Sequence, residues 1–130
     1  MEHAKVLLVE DKVIFHDAVR DVLENSGHSL IEPPVDNTEK VLEILDQIKA
    51  GERICDVIIL DGHLSPGSAN GEDARIIVNR IRERKLPVKV IGFSACNMGD
   101  YGIEVDADPT KDGYEQIPSI IDSFPEPGVA

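Results

Sequence analysis

The sequence predicts an α/β fold, a three-layer sandwich built on a parallel sheet. Short apolar runs rich in branched residues, among them Val6-Leu7-Leu8-Val9, Val57-Ile58-Ile59-Leu60 and Val90-Ile91-Gly92-Phe93, have the make-up of strands buried on both faces. Between the runs lie stretches whose apolar residues recur at helical spacing, and such alternation implies right-handed βαβ units. A third observation concerns chemistry: Glu10 and Asp11 follow the first run, and Asp61 follows the second.

Each element has its own signal. Residues 5–9 form the first strand and lead into a helix over residues 13–25, where Ile14, Phe15, Ala18, Val19, Val22 and Leu23 make the apolar stripe and Gly27 the stop. Residues 28–32 read as a short, weak strand closed by Pro33-Pro34. Thr38 is the expected N-cap of a second helix carrying Val41, Leu42, Ile44, Leu45 and Ile48, ended by Gly51. The third strand spans residues 54–60. A loop over residues 62–71, dense in Gly, Ser, Pro and Asn, precedes a helix over residues 72–84 that buries Ala74, Ile77, Val78 and Ile81. Residues 88–93 are the fourth strand and residues 103–107 the fifth, while residues 96–102 leave room only for a short helix. The last helix buries Ile117, Ile120, Ile121 and Phe124, with Pro118 tolerated in its first turn.

At 130 residues the chain has room for one domain with a genuine core, expected over residues 1–124, followed by a disordered tail over residues 125–130. A net charge of -12 argues against nucleic acid and against anionic membranes as partners. No stretch is apolar enough to span a bilayer, and no signal peptide precedes the first strand. Two cysteines, Cys55 and Cys96, are too sparse for a disulfide scaffold, so a reducing cytoplasm is the expected location. Cys55 reads as a small core residue and Cys96 as an exposed one whose acidic surroundings argue against a redox role. His3, His16 and His28 show no ligand spacing and read as surface residues.

Five strands alternating with helices favour the sheet order 2-1-3-4-5, with the switch point between the first and third strands. Ligands of such sheets bind outside the carboxyl ends of the strands, where Glu10-Asp11 and Asp61 converge. Like charges so close need a counter-cation or a strongly raised pKa. Magnesium is the natural candidate, because it takes oxygen ligands and keeps positions open for a phosphoryl group. Ser94, after the fourth strand, and Lys111, after the fifth, fall on the same rim. A carboxylate can attack a phosphoryl donor and carry the group as a mixed anhydride, with metal and lysine neutralising the transferring oxygens. A hydroxyl able to swing toward the new phosphate supplies a conformational readout.

With these residues in place, the chain resembles a response-regulator receiver domain, the phospho-acceptor of two-component signalling. The resemblance rests on Val-Glu-Asp at 9–11, Val-Ile-Ile-Leu-Asp at 57–61, Gly-Phe-Ser-Ala at 92–95 and Thr-Lys at 110–111. It implies that Asp61 is phosphorylated. Asp11 then binds Mg2+ directly and Glu10 through water, with the backbone carbonyl of His63 as a further ligand. Ser94 is the switch hydroxyl and Lys111 the phosphate-binding lysine. The implied partner is a histidine kinase or histidine phosphotransfer protein, and the implied role is a signalling module, not a turnover enzyme. With no effector domain following, output is expected through protein–protein contact or onward phosphotransfer.

Four departures bear on output. Receiver domains usually have proline after the lysine, with a cis bond that aims the ammonium; here Asp112 follows. Asp108 stands at the aromatic switch position, the segment from Ser94 to Lys111 is short enough to truncate or remove the fourth helix, and the loop after Asp61 carries Pro66 later than usual. Asp108, Asp112 and the short segment favour an alternative, a pseudo-receiver that binds partners without being phosphorylated, which the intact acid triad opposes. A haloacid-dehalogenase-type hydrolase is disfavoured, because that class needs a second aspartate two residues after the nucleophile, where this chain has His63.

Overall fold

In the computed structural model, which describes residues 1–31, 33–62 and 71–126, four parallel strands lie in the order β2-β1-β3-β4. They are β1 (Lys5–Val9), β2 (Ser29–Leu30), β3 (Val57–Leu60) and β4 (Lys89–Gly92). The helices are α1 (Val13–Asn25), α2 (Thr38–Lys49), α3 (Glu72–Glu83) and α4 (Ile117–Ser123). Alternate strand residues point to opposite faces, and the core divides accordingly. Leu7, Val9, Ile58, Leu60 and Val90 pack with Ile44 and Leu45 of α2 and Ile77 and Ile81 of α3. Val6, Leu8, Val57, Ile59 and Ile91 pack with Val19 and Leu23 of α1 and Ile117 and Ile121 of α4. The result is the expected three-layer sandwich.

Register matters more than shape. Val9 of β1 pairs with Leu60 of β3, so Glu10 and Asp61 leave the sheet side by side. The Asp61 amide donates to the Val9 carbonyl at 2.9 Å, and Phe93 N donates to the Leu60 carbonyl at 2.8 Å. One short rim of backbone thereby carries three segments of the site.

The fifth strand expected over residues 103–107 is reduced to a single parallel bridge between Ile91 and Ala107. The reason is local: the Asp106 carboxylate accepts from Val90 N at 2.7 Å, the amide a strand carbonyl would otherwise take. Asp106 N donates back to Val90 O and Gly92 N donates to Ala107 O, both at 2.8 Å. The outer edge of β4 is satisfied, but without a continuing ladder. Ala107 nonetheless sits where a fifth strand would run in the order 2-1-3-4-5.

The segment expected to hold a short fourth helix is one 3-10 turn, Met98–Tyr101. Asp108 ties it down, its Oδ2 accepting from Met98 N at 2.6 Å. A Cβ on Gly92 would lie 2.8 Å from Asp108 Oδ1, so the bare glycine makes room for the carboxylate. At the start of α2 the capping side chain is Asn37, whose Oδ1 accepts from Lys40 N at 2.8 Å; Thr38 is the first helical residue. Pro118 occupies the first turn of α4. Cys55 is buried in the core, and burial pushes its thiol up to about 12. His28, expected at the surface, is instead buried, with Nδ1 accepting from Ala4 N at 2.9 Å and Nε2 donating to Asp122 at 3.0 Å. Two hydrogen bonds satisfy both ring nitrogens, which removes the cost of burial.

Candidate functional site

Carboxylate oxygens of Glu10, Asp11 and Asp61 all lie within 4.8 Å of one another. Glu10 and Asp61 are buried, while Asp11 is exposed and opens the cluster to solvent. Glu10 also has a structural duty: its Oε1 accepts from Lys12 N at 3.0 Å, where the N-terminus of α1 has no capping side chain of its own. Its Oε2 is buried and, apart from an ion-pair contact with Lys111 Nζ at 3.3 Å, has no hydrogen-bond partner among the described residues. Burial, reinforced by the nearby Asp61 charge, raises the Glu10 carboxyl from 4.5 to about 7, against the lowering pull of Lys12 N and Lys111. Clustered hard oxygens, one of them buried and unsatisfied, are the donor set a divalent cation needs.

The raised Glu10 carboxyl has a measurable consequence. In the folded state it holds a proton between pH 4.5 and about 7 that it loses in the unfolded chain. Its contribution to the stability of the metal-free protein is therefore full below pH 4.5 and is lost as pH rises through about 7. A divalent cation binds the ionised form, so its apparent affinity should rise with pH up to about 7 and then level off. Calorimetric Mg2+ titrations in buffers of different ionisation enthalpy should detect proton release at pH 6 and none at pH 8.5. Equal release at both would contradict the assignment.

Lys111 also reaches the cluster. Its Nζ lies 3.3 Å from Glu10 and 3.5 Å from Asp61, and its backbone N–H donates to the Ser94 carbonyl at 3.0 Å. The peptide bond to Asp112 is trans. Thr110 before it has φ 62 and ψ 177, a region occupied almost only by glycine, at a cost of about 1–3 kcal/mol for a β-branched residue. Ser94 is fully buried, and its Oγ has no partner among the described residues. A Cβ on Gly62 would lie 3.1 Å from that hydroxyl, so the main chain at Gly62 sits close against it.

The structure thus gathers Glu10, Asp11, Asp61 and Lys111 at one point, with Ser94 held beside Lys111 through the main chain. The expected ligand carbonyl of His63 lies outside the described residues, as do Pro66 and the end of the tail at residues 127–130. Two neighbours escaped the sequence reading. His16, expected at the surface, donates from Nε2 to the Glu10 carbonyl at 2.7 Å. Phe15, a member of the apolar stripe of α1, lies with its ring centroid 4.8 Å from Lys111 Nζ. Nothing in helical periodicity separates such residues from ordinary core. The one signal was position, within six residues of an acidic pair at a strand end.

No protein-family model and no curated protein matches the sequence. Solved structures do. A DNA-binding response regulator of the LuxR family from Staphylococcus aureus superposes with a TM-score of 0.70 at 17% identity, over 92% of this chain and 96% of that one. A response regulator from Thermotoga maritima gives 0.66 at 24% identity, over 92% and 98%. The Mn(2+)-bound form of the response regulator Rcp1 gives 0.65 at 23% identity, over 98% and 97%. Among the described residues, no helix is long and apolar enough to cross a membrane. Strand order, layer arrangement and these likenesses agree: the chain has the receiver-domain fold of the response regulators.

Proposed function

We propose that this chain is a phosphoryl-accepting receiver module, with Asp61 as the acceptor. The observation that carries the proposal is the meeting of the Glu10, Asp11 and Asp61 oxygens within 4.8 Å, with Lys111 Nζ 3.5 Å from Asp61. Glu10, Asp11 and Asp61 would hold Mg2+, together with the His63 carbonyl implied by the resemblance. Bound there, the ion neutralises phosphoryl oxygens and lowers the repulsion between donor and carboxylate. An Asp61 oxygen attacks phosphorus, the P–N bond of a phosphohistidine breaks, and its electron pair leaves on the imidazole nitrogen. Lys111 carries the countercharge on the phosphoryl group, and the Ser94 hydroxyl, lacking a partner among the described residues, turns toward the product.

The donor is a histidine kinase or a histidine phosphotransfer protein. Val13 and Ile14, 70% and 78% exposed and separated from the acidic pair only by Lys12, offer an apolar rim on which such a protein can seat. Output runs through protein–protein contact in the cytoplasm, without nucleic acid or membrane, and the module performs only its own phosphorylation and dephosphorylation. Asp108 and the single 3-10 turn that replaces a fourth helix at Met98–Tyr101 favour the competing pseudo-receiver. Beryllofluoride, a phosphoryl mimic, separates the two. Magnesium-dependent binding that disappears in Asp61→Asn supports the acceptor; no binding by the wild-type protein supports the pseudo-receiver.

A further inference from the structure

We infer that Phe15 is a positioning residue for Lys111, holding its ammonium at the acidic cluster by the face of the ring. The inference rests on the proposed role of Lys111 in phosphoryl transfer. Lysine has a flexible four-carbon stem and loses much rotamer freedom when fixed, and the residue after it here is Asp112, joined by a trans bond. Its main chain is pinned by the Ser94 carbonyl at 3.0 Å, which fixes the backbone but not the side chain. The ring supplies the second anchor, with Nζ 4.8 Å from its centroid. Phe15 is itself oriented edge-to-face on Phe93, with centroids 5.5 Å apart and planes at 90°. Phe93 is fully buried and bonded through its amide to Leu60, the residue before Asp61. Acceptor and lysine are thus referred to the same strand end.

The ring does something the carboxylates cannot. In the metal-free site, Glu10 and Asp61 attract the ammonium directly. Once those acids hold a divalent cation, their negative charge is largely spent and their hold on Lys111 weakens. The ring quadrupole is unaffected by the metal, so its attraction persists while the phosphoryl group is approached. Sequence alone reads Phe15 as helix stripe; only the contact with Lys111 gives it this second task.

Phe15→Leu and Phe15→Met keep an apolar side chain and remove the ring, whereas Phe15→Tyr keeps both. In NMR spectra of the full chain with Mg2+, the Lys111 ε-methylene protons, assigned with Lys111→Arg, should be shifted upfield by the ring current in the wild type. They should return to ordinary lysine positions in Leu and Met and stay shifted in Tyr. Beryllofluoride affinity should fall about three- to tenfold in Leu and Met and recover in Tyr, with Mg2+ affinity unchanged in all. Lys111 shifts that ignore loss of the ring, or a mimic affinity within about twofold of wild type, would overturn the inference. If the wild type binds no mimic, the acceptor reading fails, and the ring-current comparison alone decides whether Phe15 holds Lys111.

Discussion

Asp61→Asn should abolish the phosphoryl adduct that intact-mass spectrometry detects after incubation with acetyl phosphate and Mg2+. An amide oxygen is a far weaker nucleophile than a carboxylate, and the substitution also takes the negative charge from one of the three clustered oxygen donors. Glu10 is poorly suited to substitute: it is held by Lys12 N and Lys111, and its carboxyl is raised to about 7 by burial. The loss should not come from unfolding. The Asp61 charge is the second cause that raises the Glu10 carboxyl, so its removal relieves repulsion and should leave the metal-free protein at least as stable near pH 7. An adduct of undiminished yield in the variant would place the acceptor elsewhere. A thermal melt of both proteins supplies the control.

Lys111→Met should slow phosphorylation by about two to three orders of magnitude, the usual effect of removing one preorganised charge from a transition state. Methionine keeps the length and much of the packing of the stem, so the change isolates the ammonium. Mg2+ affinity should move the opposite way. The ammonium sits 3.3 Å from Glu10 and 3.5 Å from Asp61, where it competes with any cation for the same oxygens. Removing it should tighten Mg2+ binding while phosphoryl transfer collapses. A merely structural lysine would lower both together. Rates should be compared at saturating Mg2+, because the metal-free variant leaves buried carboxylates without a countercharge. A rate within about threefold of wild type would remove Lys111 from the reaction.

Much of this fold could be read from the chain because the buried strands are short, apolar and branched, and because polar residues end them abruptly. Glu10 and Asp61 declared themselves as the first residues past Val9 and Leu60, which are paired in the sheet. Residues 103–107 misled for an equally local reason: Ile103, Val105 and Ala107 alternate like a strand, yet the Asp106 carboxylate takes the hydrogen bond on which a ladder would continue. His28 misled because an isolated polar residue carries no mark of its partners, here Ala4 N and Asp122 from opposite ends of the chain. Asp108 was legible as a departure but not as a tether for Met98 N.

By itself, then, the sequence determined the layers, the strand order among β1–β4 and the acids at the carboxyl ends of β1 and β3. Hydrophobic periodicity and strand-end chemistry are local properties, written in consecutive residues. Only the tertiary structure decided what surrounds those acids: the burial of Glu10, the reach of Lys111 across the rim, the ring of Phe15 behind it and the enclosed hydroxyl of Ser94. Each of these depends on distances between residues scores of positions apart, such as 10, 61 and 111, and those distances follow from strand register and layer packing, which no local pattern encodes.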